Sequence, residues 1–369
     1  MEKKIKIFFF LSNFSHGGAA NSIVRLCKSL NKNFFEVSVI CLGKCDYKEQ
    51  LLKSKITVNE LRFKRTFLAF KKILKIISLK GNQKIILVSN INYTNVLSSF
   101  FIKFFYNLKI KLILVERTPL QELDIYFGLV DCLKKQLIKI GIQFFYKYSN
   151  LVICNSKKIS KDIKLLSNAN TKTVYPPSYF KIKKFNKNKV SQNKKFKIIL
   201  SIGRLSKEKN YNLLINAFKK IDINNAKLQI LGDGPEKNRL IKMVNILDLK
   251  DKVSFEGQQS NIEKYFKKAD LYVNCSRFEG FPNSVVESIN YQVPVICSDS
   301  HGGIREIISS NYKNQIFKNN SHADLTKKIN YFFLNTKKFT KNNIKLKKNV
   351  NKFSLEKNRN LYEQIFFKI

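Results

Sequence analysis

Residues 271–287 read Leu-Tyr-Val-Asn-Cys-Ser-Arg-Phe-Glu-Gly-Phe-Pro-Asn-Ser-Val-Val-Glu and contain an apolar run, a Gly/Pro loop and the start of a helix. The apolar run has the length of a buried strand. Asn283 or Ser284 is suited to cap the helix that follows it. We therefore expect Glu279 in the loop and Glu287 inside the helix, with both carboxylates facing the crevice at the end of the strand. Carboxylates in that place can accept hydrogen bonds from vicinal sugar hydroxyls.

The same pattern of strand, loop and helix recurs along the 369-residue chain, which is longer than one hydrophobic core normally supports. Strands are expected at residues 5–11, 35–42, 84–89, 111–115 and 151–154, and again at 197–202, 227–231, 252–255, 271–274 and 294–298. Short apolar runs that alternate with amphipathic stretches are typical of βαβ units. The sequence thus predicts an α/β protein with two Rossmann-like, doubly wound parallel sheets.

A segment rich in Lys and Asn separates the two series of strands. No Asp or Glu occurs between Asp162 and Glu208, and periodicity is weak within residues 179–196. Such a composition is typical of a linker. We expect an N-terminal domain at 1–178, a basic linker at 179–196, a C-terminal domain at 197–350 and a last helix within 351–369.

The formal net charge of +43 would attract polyanions such as nucleic acid, anionic lipid headgroups or phosphorylated substrates. Lysines are scattered over nearly every segment, however, and abundant Lys, Asn, Ile and Phe without Trp indicate a biased codon composition. No helix-turn-helix, RNA-binding or zinc-finger pattern is present in the sequence. We therefore predict no nucleic-acid partner.

The cysteines and the N-terminus indicate a reducing compartment. The seven cysteines form no CxxC pair and most lie in apolar runs, so they are expected to be reduced core residues without a bound metal. The apolar stretch near the N-terminus lacks a cleavage site and is expected to be a first strand. No run approaches the roughly 18 uncharged residues of a membrane-spanning helix. A cytoplasmic location is the expectation.

Three further loops at predicted strand ends carry glycines or cations. Residues 15–22 contain Gly17 and Gly18 before a helix, whose N-terminus can bind phosphate. Residues 203–210 place Arg204 and Lys209 where a strand meets a helix, and Arg can hold a diphosphate in a fork. Residues 231–236 contain Gly232. Each loop alone has a plainer explanation, as a glycine turn or a solvated basic loop.

Taken together, these motifs resemble the GT4 family of retaining glycosyltransferases, which have the GT-B fold. The resemblance rests on Gly17-Gly18, Gly203-Arg204-Leu205 with Lys209-Asn210, residues 231–236, the pair Glu279 and Glu287, Pro294, and Gly302-Gly303 followed by Glu306. It covers nearly the whole chain and is most specific in the second half. Within this family, the sequence resembles in particular bacterial enzymes of surface-polysaccharide or lipid-linked-glycan synthesis.

The resemblance implies two domains that face a central cleft, an acceptor on the N-terminal side and a nucleotide-diphosphate sugar on the C-terminal side. Catalysis would involve Glu279 at the donor sugar, with Arg204 and Lys209 at the diphosphate. Further donor contacts would come from Gly18, Gly203, Gly232, Phe281, Pro282, Asn283, Ser284 and Glu287, the last at the ribose. It also implies a C-terminal helix that crosses back to the first domain.

Some positions depart from the family pattern. Ala19-Ala20-Asn21 stands where many relatives have a Glu soon after the two glycines, and a first-domain His near the reacting sugar is not obvious. His16, Glu116 and Arg117 are the acceptor-side candidates, with a salt-bridged loop as an equal alternative for Arg117. Asn155-Ser156 fits a helix cap better than a cleft wall.

No DxD motif is present in the sequence, so we expect a metal-independent enzyme that needs no cofactor. Its partners would be the nucleotide sugar and a glycan or lipid-linked acceptor. The main alternative is a sugar-nucleotide or polyanion-binding protein without catalysis. Residues 63–78 alternate apolar and basic residues at helical spacing, and this helix could either lie on an anionic membrane or pack on the sheet.

Overall fold

Two parallel sheets organise the chain, each in its own compact unit. The computed structural model describes residues 4–15, 17–78, 83–105, 110–126, 128–179 and 196–369. Unit 1 comprises Met1–Pro177 and Leu355–Ile369, and unit 2 comprises Ser178–Ser354. From the sequence we expected the first domain to end at residue 178 and the second to end at residue 350. Within the expected linker, residues 180–195 lie outside the described residues.

Unit 1 contains, among its described residues, a seven-stranded sheet in the order β3-β2-β1-β4-β5-β6-β7, with every pair of neighbours parallel. The strands are β1 (Ile5–Phe10), β2 (Phe35–Cys41), β3 (Thr57–Glu60), β4 (Ile85–Asn90), β5 (Ile110–Glu116), β6 (Leu151–Cys154) and β7 (Thr171–Thr173). The helices are α1 (Gly18–Ser29), α2 (Lys48–Lys53), α3 (Thr66–Ser78), α4 (Asn92–Phe105), α5 (Leu129–Phe145), α6 (Lys157–Ser167) and the last helix of the chain, α14 (Leu355–Lys368). Short 3₁₀ helices lie at Leu120–Asp124 and Tyr146–Tyr148.

Helices cover both faces of this sheet. On one face Phe366 of α14 packs between Phe9 and Phe35, with ring centroids 6.4 and 5.8 Å apart. On the other face α3 buries its apolar side, including Phe70 and Ile73, against the strands. Of the two alternatives for residues 63–78, packing on the sheet is therefore the one that the structure shows for this side of the helix.

Unit 2 contains, in the described part of the chain, a six-stranded parallel sheet in the order β10-β9-β8-β11-β13-β15 and a separate two-stranded ladder of β12 and β14. The strands are β8 (Lys197–Ile202), β9 (Ala226–Leu231), β10 (Val253–Phe255), β11 (Leu271–Asn274), β12 (Phe278–Glu279), β13 (Val295–Ser298), β14 (His301–Gly302) and β15 (Ile316–Phe317). The helices are α7 (Tyr211–Lys219), α8 (Lys237–Ile246), α9 (Glu263–Lys268), α10 (Asn283–Asn290), α11 (Ile304–Ile307), α12 (His322–Leu334) and α13 (Thr336–Asn349). Short 3₁₀ helices lie at Lys207–Lys209, Ser310–Gln315 and Val350–Phe353.

The strand order reverses between β1 and β4 in unit 1 and between β8 and β11 in unit 2. Open parallel sheets bind ligands outside the carboxyl ends of the strands at such a reversal. Residues 203–210 follow β8 and residues 275–287 follow β11. The two most specific motifs of the sequence are thus neighbours at the reversal in unit 2.

The α/β class and the two parallel sheets are confirmed. All seven cysteines are free, as expected, and all but Cys132 are buried. None of the described helices combines the length and apolar composition that crossing a bilayer requires.

Candidate active site

The loop after β8 is fixed by hydrogen bonds to the loop after β9. Gly203 N–H donates to the carbonyl oxygen of Leu231 at 3.0 Å, and Leu205 N–H donates to that of Asp233 at 3.0 Å. The carbonyl oxygen of Leu205 accepts from Glu236 N–H at 2.9 Å. The backbone beside Arg204 is therefore held in place before any ligand arrives.

Two glycines allow a close backbone approach at this edge. Gly232 has φ +132°, and a Cβ there would lie 2.0 Å from the carbonyl oxygen of Gly203. Gly302 has φ +117°, and a Cβ there would lie 1.8 Å from the carbonyl oxygen of Glu279. Any other residue would push these loops apart, because both the φ angle and the space favour glycine.

Lys209 and Glu279 form an ion pair at the centre of this edge. Lys209 Nζ donates to Glu279 Oε2, and the two side chains are 24% and 16% exposed. The pairing of β12 with β14 sets the backbone of Glu279 opposite Gly302. Cys275 Sγ donates to the carbonyl oxygen of Lys209 at 3.1 Å and ties the lysine to the end of β11. The structure thus brings together two side chains that the sequence analysis assigned to the donor.

Arg204, in the same loop as Lys209, has no partner among the described residues. Its side chain is exposed, and it makes no hydrogen bond or ion pair with any residue that the structure describes. A guanidinium in this state can grip a phosphate in a fork, since all its donors are available.

The start of α10 differs from the expectation of an Asn or Ser cap. Pro282 precedes the first helical residue, Asn283, and no side chain caps the helix. Asn283 Oδ1 instead accepts from Ser178 Oγ at 2.8 Å, and Ser284 Oγ accepts from Tyr272 Oη at 2.7 Å. The cap prediction is wrong because these two hydroxyls compete successfully for the side chains that would have capped the helix.

The missing cap leaves the N-terminus of α10 open. The backbone N–H groups of Asn283 and Ser284 have no acceptor among the described residues. Unpaired N–H groups and the helix dipole together favour an anion. Tyr272 Oη also lies 3.3 Å from the carbonyl oxygen of Ile202, so this N-terminus is linked to the end of β8.

Glu287 lies on α10 three residues after Ser284, a spacing that places both on one side of the helix. Its side chain is half-buried. Burial, followed by the carboxylates of Glu263 and Glu287, raises the pKa of Tyr291 to about 12. Tyr291 therefore stays a neutral phenol beside Glu287, and its hydroxyl donates to Glu263 Oε2 at 3.1 Å.

Phe281 and Pro282 anchor the loop before α10 through their buried side chains. The Phe281 side chain is buried, with its ring centroid 4.8 Å from that of Phe353. Pro282 is also buried. The two residues anchor the loop in unit 2, which leaves the backbone, and not the Phe281 ring, as the part that can meet a donor.

The acceptor-side candidates of unit 1 lie in different surroundings. Glu116 is 1% exposed; its Oε2 accepts from Tyr146 Oη at 2.7 Å, and burial raises the pKa of its carboxyl group. Arg117 donates from Nε and Nη2 to Asn90 Oδ1 at 3.2 and 3.0 Å, and burial lowers its pKa. The structure shows no salt bridge of the Arg117 side chain within the described part of the chain. His16 lies outside the described residues.

Gly18 and Ser156 start helices of unit 1. Gly18 is exposed, and a Cβ there would have no heavy atom within 4 Å. Ser156 Oγ accepts from Ile159 N–H at 3.3 Å, which confirms the predicted cap of α6.

Sequence reasoning missed Arg277 and Tyr272. The Nε of Arg277 is buried without a hydrogen-bond partner among the described residues, while Nη2 donates to Asn210 Oδ1 at 3.4 Å. Arg277 lies two residues before Glu279, and this closeness was the available signal. The role of Tyr272 had no signal, because an aromatic residue within a strand is ordinarily part of the core.

A cavity of about 490 Å³ opens in unit 2 beside the ends of β13 and β15. None of its lining residues is a predicted site residue, and its Arg305 is paired with Asp299 at 2.8 Å. We place the site at the end of β8 and β11 instead, because the partnerless cation and the open helix N-terminus lie there. No group of three or more His, Cys, Asp or Glu that could hold a metal occurs among the described residues. Metal independence stays a prediction.

The comparison with known families adds to this geometry. Residues 182–352 match the family of glycosyl transferases group 1. The resemblance found in the sequence is thereby confirmed, and the matched group 1 segment contains Arg204, Lys209, Glu279 and Glu287.

Two curated relatives extend the likeness. An uncharacterised glycosyltransferase of Methanocaldococcus jannaschii is 35% identical over 190 residues, which are 48% of this chain and 46% of the relative. A Campylobacter jejuni enzyme, named as an alpha-1,4-N-acetyl-D-galactosaminyltransferase of an undecaprenol-linked glycan, is 27% identical over 91% of both chains. The match spans less than half of the first curated relatives, from 31% to 46% of their length.

Among solved structures, HepE of Anabaena in complex with UDP-glucose superposes with a TM-score of 0.80 at 18% identity. The superposition covers 99% of this chain and 100% of HepE. At this identity the likeness shows the fold alone, and it confirms the GT-B fold expected from the sequence.

Proposed function

We propose that this protein transfers a hexose or N-acetylhexosamine from a UDP-sugar to a glycan or lipid-linked acceptor in cell-surface polysaccharide synthesis. The observation that carries the proposal is that the loops after β8 and β11 together contain the Lys209–Glu279 pair, the partnerless Arg204 and the open N-terminus of α10. The name of one Campylobacter jejuni relative describes transfer to a diphospho-undecaprenol-linked glycan, and that of one Erwinia amylovora relative describes amylovoran biosynthesis. These two names support the acceptor class.

Each part of the donor has a matching group in unit 2. The diphosphate would bind Arg204, Lys209 and the N–H groups at the start of α10, because all three present positive charge or free donors. The hydroxyls of the transferred sugar would donate to Glu279, and those of the ribose to Glu287. Gly232 and Gly302 let the loops that carry these groups approach one another closely.

The Lys209–Glu279 pair keeps both groups in position in the absence of donor. On binding, the lysine gains the phosphate and the carboxylate gains sugar hydroxyls, so neither charge loses a partner. A preformed arrangement of this kind lowers the reorganisation needed at the transition state.

In the reaction, the bond between the anomeric carbon and the phosphate oxygen breaks and its electron pair stays on the leaving diphosphate. Arg204, Lys209 and the α10 dipole would stabilise that charge in place of a metal ion. The acceptor hydroxyl forms the new bond on the same face of the sugar, and its proton passes to the leaving phosphate oxygen. The product therefore retains the anomeric configuration of the donor.

The test measures hydrolysis of, and transfer from, a panel of UDP- and GDP-sugars in the presence of EDTA. We expect turnover of one UDP-sugar with retained configuration, and a loss of about 10²- to 10³-fold in kcat for Lys209→Met. Lys158→Met, which removes an ion pair with Asp162 on α6, is the matched control and should retain activity. Binding without turnover would indicate a non-catalytic sugar-nucleotide protein, and a strict need for a divalent metal would contradict the proposed chemistry.

A further inference from the structure

The outer face of α5 is unusually apolar for an exposed helix. Six large apolar side chains along it are between 49% and 85% exposed. We call this set the α5 stripe: Leu129, Val130, Leu133, Leu137, Ile140 and Phe144. Single exposed apolar residues are normal, but a continuous stripe of this length on one helix marks an interaction surface.

The helix itself is firmly held in unit 1, so the stripe does not result from a loosely attached segment. Ile142 is fully buried in the core that covers the sheet. A Cβ on Gly141 would lie 2.4 Å from Val96, which shows how closely α5 approaches α4. The opposite side of α5 thus packs, while the stripe stays exposed.

Cations and aromatic rings border the C-terminal end of the stripe. Lys103 Nζ lies 4.4 Å and Lys147 Nζ 5.4 Å from the centroid of the Tyr148 ring. The exposed Phe104 ring on α4 lies 6.2 Å from that of Phe145. Tyrosine and lysine side by side are typical of the boundary between water and lipid, where apolar stems bury and polar tips stay wet.

The neighbouring helix α3 continues this surface. Phe67 and Leu68 are exposed at its start, and the Phe67 ring lies 5.2 Å from that of Phe101 on α4. The exposed side of α3 also carries Lys71, Lys72 and Lys75. Its buried side packs on the sheet, so these lysines form a basic surface next to apolar groups.

We propose that the α5 stripe, with the adjoining basic surface of α3 and α4, binds an anionic membrane. A helix with an apolar side and bordering lysines lies in the interface with its apolar face about 5–10 Å deep. Anionic headgroups complement the lysines and acyl chains complement the leucines. A second copy of the chain would bring the same net charge of +43, and a nucleic acid would leave the leucines unpaired.

The α5 stripe belongs to unit 1, whereas the proposed donor groups belong to unit 2. Membrane binding can therefore be tested without any assumption about the sugar that is transferred. Loss of binding should leave hydrolysis of a water-soluble donor unchanged.

The experiment is flotation of the full chain with vesicles of phosphatidylcholine and phosphatidylglycerol, compared with vesicles of phosphatidylcholine alone. We expect binding to the anionic vesicles at low salt and weaker binding at high salt. The double substitution Leu133→Gln/Leu137→Gln should reduce partitioning about tenfold or more, because two apolar side chains no longer insert. Both positions are exposed, so folding, checked by circular dichroism, should be unchanged.

The matched control is Ile246→Gln/Leu334→Gln, which replaces two apolar residues of unit 2 that are 83% and 85% exposed. This control should float like the wild type. The proposal would be overturned if Leu133→Gln/Leu137→Gln floated as well as the wild type, or if the wild type did not float at low salt. A wild-type dimer that Leu133→Gln/Leu137→Gln makes monomeric would likewise overturn it, by assigning the stripe to a second copy.

Discussion

At the residue scale, the most unusual group is the buried carboxyl of Glu116 at the end of β5. Tyr146 Oη, the Arg117 N–H and Thr118 Oγ1 all donate to it. Burial nevertheless raises its pKa, because these hydrogen bonds do not fully replace the water that a carboxylate loses. Its role in the fold is to join β5 to the segment that follows α5.

This shift predicts a pH-dependent difference in stability for Glu116→Gln. A folded-state pKa above the unfolded one means that the protonated group stabilises the fold at acid pH, and that this stabilisation is lost as pH rises. The amide of Gln stays neutral and can still accept from Tyr146. The melting temperature of the variant relative to that of the wild type should therefore increase as pH rises from acid to neutral values.

Tyr146→Phe is the companion to this measurement. It leaves a buried Glu116 oxygen without its donor and should cost about 1–3 kcal/mol. If Glu116→Gln and the wild type keep a constant difference in melting temperature across pH, the raised pKa is wrong.

At the element scale, the loops at the ends of β8, β9 and β12 are held at backbone distance from each other by glycines. Gly232 and Gly257 make a matched pair, since both have positive φ and the N–H of Gly232 donates to the carbonyl oxygen of Gly257. The two glycines differ in the room available for a side chain, because a Cβ on Gly257 would have no heavy atom within 4 Å.

Gly232→Ala should therefore destabilise unit 2 more than Gly257→Ala. The second change carries only the left-handed backbone cost of about 1 kcal/mol, whereas the first adds a clash with the carbonyl oxygen of Gly203. Chemical denaturation of both variants measures the difference. Equal losses would show that the two loops can separate without cost.

Most of the elements could be predicted from the sequence, and the exceptions share a cause. The sequence analysis missed β3, β7, β12, β14 and β15, which are two to four residues long. Thr-Val-Asn-Glu of β3 and Thr-Lys-Thr of β7 also have little apolar alternation. They form strands because β2 and β6 offer them a backbone to pair with. Edge strands of this kind depend on tertiary context more than on their own pattern.

The sequence predicted which loops form the candidate site, but it did not predict the contacts between their side chains. The motifs gave Lys209 and Glu279 separately, whereas their ion pair joins positions 70 residues apart. The cap prediction for α10 failed because Ser178 and Tyr272 bind the two side chains concerned. Helical periodicity likewise could not tell which helix leaves its apolar side exposed.

At the scale of the whole molecule, unit 1 is built from both ends of the chain. Phe366 of α14 is fully buried against Phe9 and Phe35, although more than three hundred residues separate it from them. Asn358 Nδ2 also donates to the carbonyl oxygen of Tyr175 at 2.6 Å, near the point where the chain leaves unit 1. The first unit is thus complete only once the last helix has been made.

Phe366→Ala should destabilise unit 1 and leave unit 2 intact. The loss should be about 3–5 kcal/mol, as for other large aromatic side chains removed from a core. Hydrogen exchange followed by mass spectrometry should show faster exchange in β1 and β2 but not in β8 and β9. Uniformly faster exchange in both units would mean that they unfold as one.

The central claim is that the donor diphosphate binds at the ends of β8 and β11, and calorimetric titration of UDP tests it most directly. Arg204→Met removes the partnerless cation, whereas Arg239→Met removes an exposed arginine of α8 that is paired with Glu236. We predict UDP binding to the wild type and to Arg239→Met, and an affinity about 10- to 100-fold lower for Arg204→Met, because a charged hydrogen bond is lost. UDP affinity that is equal in Arg204→Met and the wild type, or no UDP binding to the wild type, would contradict the account.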